Sequence, residues 1–200
     1  MNSPEKQICG RILDHDCAVQ QDRSVSPDRS VYALPKIMNR TTLFTVAILP
    51  AEQTDMDALA ALMHASIHDL GPRAYTQEQL DAWSPRPRKG DEARQRFAGQ
   101  TVFLASDDEG YAAFMTLKPI GYLDFAYAHP RAAGKGAAAM VHEALISHAR
   151  TEGLTRLTSD ISMVARPFFE KRDWRVIREQ QPVLRDVALT NFHMHKDLTP

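Results

Sequence analysis

The order of apolar runs along the chain predicts an α+β fold, and three observations carry that prediction. From Thr101 to Ala128 the runs TVFLAS, GYAAFMTL and YLDFAYA are separated only by the turn DDEG and the break KPIG, which reads as an antiparallel meander of three strands. The Gly/Ala stretch HPRAAGKG then opens a helical run, AAAMVHEALISHARTEGL, and the strand RLTSDIS follows, giving one strand-helix-strand crossover near the middle of the chain. Helical patterns cluster before the meander and strands cluster at the end, so the two kinds of element do not alternate throughout.

Taken in order, residues 1–40 mix charge, Ser and Pro without a sustained apolar period; they are expected to form a poorly ordered extension, with one domain over 41–200. The folded pattern begins just after Met38, so a translation start there is a further expectation, testable by the mass of the native protein. LFTVAILP reads as a buried strand. In AEQTDMDALAALMHASIHDL, Met56, Leu59, Ala60, Met63 and Ile67 recur at helical spacing, and Thr54 is the expected cap. GPRAY breaks that helix. TQEQLDAWSPRP is a second, short one, entered through a Thr76/Gln79 capping box and stopped by Pro85 and Pro87. EARQRFAG adds a helical turn. In the helix after the Gly/Ala stretch, Met140, Val141, Ala144, Leu145 and Ala149 share a face, and Gly153 ends it. VARPFFEKRD is read as a helix, and WRVIRE, PVLRDVAL and NFHMHKDL as strands.

Composition narrows the function classes. With 24 Lys plus Arg against 25 Asp plus Glu, the net charge of -1 gives no electrostatic case for nucleic acid or an anionic membrane surface as partner. No apolar run approaches the ~20 residues that span a bilayer, and the polar start lacks the core of a signal peptide, so a soluble, cytoplasmic protein is expected. Cys9 and Cys17 come without a second pair or a nearby His ladder, and the spaced pairs His64/His68 and His193/His195 lack a third ligand. No metal is expected. Surface placement is the reading for both His pairs, and a helix-surface or partly packed one for His142 and His148.

The stretch FAYAHPRAAGKGAAAMVHEAL carries the chemistry. A strand feeding glycine-rich backbone into a helix N-terminus makes an anion site, because the first N–H groups of the helix lack partners and the helix dipole favours negative charge. Gly134, Gly136, Ala137 and Ala138 allow close approach, with Arg131 and Lys135 adding positive charge at the rim. A nucleotide-hydrolase phosphate loop is excluded by spacing, since His129 stands where its first Gly is needed. The dinucleotide pattern is formally met by GKGAAA, but HPRAA intervenes between strand and first Gly, and the chain has room for only one clear crossover.

A third class is coenzyme A, whose pyrophosphate can sit on the same N–H array, and a Gly/Ala turn that merely allows tight packing is the plain alternative. From about Leu43 to Leu198 the chain resembles the GNAT superfamily of acetyl-CoA-dependent N-acetyltransferases; RAYTQEQLDAW, HPRAAGKGAAAM and ARPFFEKRDW carry the likeness. The resemblance implies a mixed, splayed β-sheet flanked by helices, acetyl-CoA as co-substrate, and a small-molecule primary amine attacking the thioester directly in a ternary complex. The family loop Q/R-x-x-G-x-G/A fits in two registers. Arg131, Gly134 and Gly136 supply every prescribed residue, whereas aligning the helix by MVHEAL places Ala133, Gly136 and Ala138 at those positions; the second is preferred.

Coenzyme contacts are thereby implied for Tyr127, Ala128, Ala133, Gly134, Lys135, Gly136, Ala137, Ala138, Ser162 and Phe169, with the strand backbone at Tyr127 and Ala128 holding the pantetheine amides. Ser162 can equally cap the following helix. Asp124 is the expected base and acceptor contact, weighed against a plain solvent-facing Asp. Phe169 stands where many relatives have a proton-donating Tyr, so Tyr127, Tyr122 or water takes that part; packing is the simpler role for Phe168, Phe169 and Trp174. Tyr75 and Trp83 are expected in the acceptor pocket, with packing as the alternative. A catalytically weak acyl-CoA-binding module and a dinucleotide-binding protein are the competing functions, and a homodimer is left open.

Overall fold

A computed structural model of the chain describes residues 43–198; the expected extension over 1–40, with Cys9, Cys17 and Met38, lies outside them. The elements run β1 (Thr45–Pro50), α1 (Met56–Leu70), α2 (Gln77–Trp83), α3 (Asp91–Phe97), β2 (Thr101–Asp107), β3 (Gly110–Leu117), β4 (Leu123–Ala128), α4 (Ala137–Thr151), β5 (Arg156–Ser162), α5 (Arg166–Glu170), β6 (Arg175–Gln180), β7 (Val183–Leu184), β8 (Val187–Ala188) and β9 (Asn191–Asp197). The α+β order holds. So does the meander: β1-β2-β3-β4 form one antiparallel sheet, β5-β9-β6 a second, and β7-β8 a hairpin.

Two cores lie on opposite faces of the first sheet. Phe103, Met115, Leu123 and Ala126 pack with α4 residues Val141, Ala144 and Leu145, and this core continues under the second sheet through Leu157, Ile161, Phe192 and Met194. On the other face Val102, Leu104, Phe114 and Phe125 meet Leu59, Met63 and Ile67 of α1, Leu80 of α2 and Phe97 of α3. Alternation along each strand makes this division, one side chain up and the next down.

The local punctuation follows the sequence with some corrections. The Thr76/Gln79 capping box is complete, and α2 ends at Trp83 ahead of Pro85. Gly153, at φ 74°, closes α4 with Leu154 N donating to Ala149 O. Thr54 does not cap α1: Asp55 accepts from Ala58 N, while the Thr54 hydroxyl turns back to Ala51 O. The expected strand PVLRDVAL is instead the β7-β8 hairpin, because Arg185 and Asp186 both take positive φ, the requirement of a two-residue turn between tightly paired strands. The helix expected over VARPFFEKRD is confined to the five residues of α5.

His142 is also corrected. It lies buried on α4, accepting at Nε2 from the Trp174 indole N–H at 3.0 Å. Burial, with Arg172 and Lys196 nearby, pushes its imidazole down to about 4, so it is neutral at pH 7.

Candidate active site

The two sheets touch at one place and then part. Among the described residues they share a single parallel bridge, Tyr122 to Thr158, supported by Thr158 N donating to Gly121 O at 3.1 Å and Ser159 Oγ to Leu123 O at 2.7 Å. Gly121 permits this contact: a Cβ there would stand 2.8 Å from Arg156 O. Beyond the bridge, among the described residues, β4 from Leu123 to Ala128 pairs with β3 and forms no ladder with β5. A parallel neighbour is thus started and abandoned, leaving the β4 backbone edge to face a split.

At the far end of β4 stands the N-terminus of α4. Gly136 is its N-cap, at φ 96°, with no side chain capping it. The first intrahelical bond is Met140 N to Gly136 O, so the N–H groups of Ala137, Ala138 and Ala139 have no acceptor within the helix. A Cβ at Gly134 (φ 76°) or Gly136 would meet nothing within 4 Å, so the space before these amides is open. Lys135 is exposed beside them. Arg131 is not at this rim: its guanidinium donates to Asp107 Oδ2 at 2.6 Å and to the carbonyls of Gly110 and Tyr111, tying the turn back to the β2-β3 connection. That pair holds the Asp107 carboxyl below its usual range. These features suit a diphosphate: unpaired N–H donors, the positive end of a 15-residue helix, and small residues around it.

The face of the split opposite α4 is built differently, from side chains on separate elements. Tyr127 stacks with Phe114, Phe125 and Trp83, and Trp83 meets Tyr75 edge to face at 5.4 Å. Tyr75 is buried and its hydroxyl is fully used, donating to Thr190 O at 2.6 Å and accepting from Met163 N at 3.0 Å; burial raises its pKa, keeping the phenol protonated. It ties the α1-α2 connection to the one end of the second sheet where β5 finishes and β9 begins. The β7-β8 hairpin closes over α2 through Gln79 Nε2 to Ala188 O and the Arg185 guanidinium to Ala82 O. Two histidines brace the same helix: His64 Nδ1 lies 2.9 Å from Ser84 Oγ and His68 Nε2 2.8 Å from Ser84 O. Neither is a free surface residue as expected.

Asp124 occupies a β-bulge. Thr116 pairs with Phe125 and Leu117 with Leu123, so Asp124 is the extra residue, and the bulge turns its side chain under α3. There it is 0% exposed, with Oδ2 3.0 Å from Arg96 Nη1, 3.2 Å from Lys118 Nζ and 2.9 Å from Gln100 Nε2. Gln100 in turn accepts from the buried Thr116 hydroxyl at 2.6 Å. Asp124 is therefore neither the solvent-facing residue nor the accessible base expected of it; it is the centre of a buried ion cluster. Phe169 is likewise displaced from the cleft: 1% exposed and packed on Phe168, Trp174 and His142, it offers no surface to a coenzyme. Ser162 Oγ accepts from Ala165 N and so closes the turn before α5; it does not cap that helix, whose N-cap is Ala165 with no side-chain cap.

The residues of the turn and of the aromatic wall thus converge on the split, while Asp124 and Phe169 do not. His193, expected with His195 at the surface, and Asp160, which the sequence did not single out, form a 2.7 Å pair across β5 and β9 next to Tyr122. Their partnership depends on a strand pairing 33 residues apart, and the spacing of His193 to His195 was the one local signal.

Comparisons with known proteins agree with this architecture. Residues 72–198 match the acetyltransferase (GNAT) domain family. The uncharacterized N-acetyltransferase YafP of Escherichia coli K12 is 25% identical over 149 residues, covering 70% of this chain and 88% of that protein. A GCN5-related N-acetyltransferase from Rhodopseudomonas palustris superposes with a TM-score of 0.71 at 28% identity, covering 80% of this chain and 99% of the other. The yncA structure from Salmonella typhimurium, solved with its cofactor acetyl-CoA, shares the fold with a TM-score of 0.54 at 19% identity, over 77% of this chain and 94% of its own. With a family match spanning more than half its length and a split sheet ending at an uncapped helix, the chain belongs to the GNAT acetyltransferases and is an acyltransferase enzyme.

Proposed function

We propose that this enzyme transfers the acetyl group of acetyl-CoA to the primary amine of a small molecule, by direct attack with both substrates bound. The observation that carries the coenzyme half is the β4 edge leading to the Gly134–Ala138 turn and the open amides of α4. The amides of Ala137, Ala138 and Ala139 would hold the pyrophosphate, with Gly136 leaving room and Lys135 adding charge. The backbone of β4 at Tyr127 and Ala128, on the edge strand of the first sheet, would bond the pantetheine arm. Bound there, the coenzyme supplies an activated acyl thioester.

The acceptor half rests on the opposite face. Trp83 and Tyr127 give it an aromatic wall that suits a small amine with an apolar or aromatic body. The Tyr127 hydroxyl is the nearest phenol on β4 to serve the leaving sulfur, since Phe169 has no proton to give and lies in the core. A thiol with a pKa of ~8.5 leaves readily near neutrality, so this donation is a modest aid. One observation favours a second reading, a catalytically weak acyl-CoA-binding module: the usual acid position is a buried Phe.

Purified full-length protein separates the two. Acetyl-CoA and CoA should each raise the melting temperature while NAD does not. Phenethylamine, spermidine, glycine and an aminoglycoside, offered with acetyl-CoA, should release free thiol with at least one acceptor. Stabilisation by acetyl-CoA with no amine-dependent thiol release would select the binding module. Stabilisation by NAD alone would reject both.

A further inference from the structure

We propose that His193, oriented by Asp160, is the general base that takes the proton from the acceptor amine. This rests on the acetyltransferase reading above and adds to it a residue and a role. The two side chains face each other across a register pair, Asp160 on β5 opposite His193 on β9. Asp160 Oδ1 lies 2.7 Å from His193 Nδ1, and Asp160 Oδ2 accepts from the Tyr122 hydroxyl at 3.1 Å.

The pairing fixes the imidazole chemistry. A carboxylate can only accept, so Nδ1 must be the donor, and in the neutral imidazole Nε2 is then the nitrogen carrying the lone pair. Tyr122 fixes the carboxylate in turn. The triad of hydroxyl, carboxylate and imidazole therefore presents one basic nitrogen in one orientation, the arrangement by which a carboxylate commonly orients a catalytic histidine.

Position within the fold puts the pair beside the split, on the face away from α4. Leu157, Ile161, Phe192 and Met194 belong to the core under α4, so Asp160 and His193, on alternate positions, lie on the face away from α4. Tyr122 shares that face, because its neighbour Leu123 belongs to the α4 core. Phe125 and Tyr127, on the α1 to α3 face of β4, continue it toward the aromatic wall. Asp160 stands two residues past Thr158, the bridged residue, hence about 7 Å along β5 from the junction and where the split begins. Side-chain exposures of 22% for His193 and 9% for Asp160 leave the imidazole reachable by a small molecule and its carboxylate shielded. The other charged or titratable groups around the imidazole are few: Arg178 of β6 is its register partner, His195 follows two positions on, and Lys118 lies over the Tyr122 ring.

The step balances simply. The amine nitrogen bonds to the acetyl carbonyl carbon, the carbon-sulfur bond breaks, the coenzyme leaves as thiolate, and the nitrogen's proton passes to His193 Nε2. His193 touches the reacting nitrogen, directly or through one water, whereas Asp160 and Tyr122 are positioning residues.

Two measurements test this, the first without any acceptor. Long-range 15N-1H correlation of the imidazoles, assigned with His193→Gln, should show His193 protonated at Nδ1 and bare at Nε2 in the wild type, and a shifted tautomer balance in Asp160→Asn. A neutral His193 protonated at Nε2 would overturn the proposal. The second uses phenethylamine, or the fastest amine of the panel. At pH 7, His193→Gln should lower kcat/KM on the order of 100-fold while the thermal shift by acetyl-CoA is unchanged, and the deficit should narrow as pH rises and the amine deprotonates itself. Imidazole added to His193→Ala should restore part of the rate, which a merely structural histidine would not allow. A His193→Gln enzyme within about threefold of wild type across the pH range would sink the idea. Failure of wild-type protein to bind acetyl-CoA would instead sink the coenzyme reading, with the tautomer result still standing on its own.

Discussion

The two flanks of the split are built in opposite ways. On the α4 side the site is backbone: amides at a helix start, a glycine cap at φ 96°, and alanines that stay out of the way. On the other side it is side chains, with Tyr75 and Trp83 from the early helices, Tyr122 and Tyr127 from the β4 region, Asp160 from β5 and His193 from β9. A backbone site should tolerate loss of nearby side chains and fail when bulk or like charge is added. A side-chain site should fail when one polar atom is removed.

The sharpest break of this contrast is Ala138→Glu. At the second helical position an acid is favourable to the helix, so the fold should hold, but the carboxylate would stand at the proposed diphosphate site. Like-charge contact costs several kcal/mol, so acetyl-CoA affinity by calorimetry should fall more than about 100-fold. Lys135→Ala should change it by less than about 1 kcal/mol, because an exposed lysine is a screened contributor. Equal losses in the two variants would mean that side chains, not amides, hold the coenzyme. Gly136→Glu is a less clean probe, since positive φ strains any side chain there.

The helix that carries the backbone site can also be loosened from behind. His142 is neutral in the folded state, with its pKa pushed down to about 4 from 6.5, so the unfolded chain binds the extra proton first as pH falls. Its contribution is therefore complete above about pH 6.5 and is lost as pH drops toward 4, at most about 3 kcal/mol. Urea melts between pH 7.5 and 4.5 should show this loss. His142→Gln, which keeps an acceptor for the Trp174 indole but cannot titrate, should flatten it.

A smaller loss of stability separates structure from chemistry on the side-chain flank. Asp124→Asn keeps an oxygen for Gln100 but leaves Arg96 and Lys118 without their carboxylate. As both cations are partly solvated, the expected cost is about 2 kcal/mol in a denaturant midpoint, below that of a fully buried broken pair. Turnover per folded molecule should persist. Turnover abolished with stability unchanged would return Asp124 to the role of base and weaken the case for His193.

The same contrast explains what could be read in advance. The Gly134–Ala138 turn, the Thr76/Gln79 box and the three-strand meander are signals between residues a few positions apart, and the fold keeps them. Arg131 misled, because a cation near a phosphate-like turn says nothing of Asp107 waiting 24 residues earlier. Asp124 misled more deeply: alternation along YLDFAYA cannot reveal that the strand bulges there and swings the side chain under α3. PVLRDVAL has strand composition, yet its tight turn is made by two non-glycine residues whose positive φ no local pattern announces.

By itself, then, the sequence determined the α+β class, the crossover and a glycine-capped helix start with open amides, since each is fixed by local backbone preference and by the periodicity of one element. Only the tertiary structure decided where the sheet splits, which carboxylate is buried in ion pairs and which holds a histidine. Those outcomes depend on register between strands far apart in the chain and on a single bulged residue, and strand register is set by packing on the two cores rather than by any one segment.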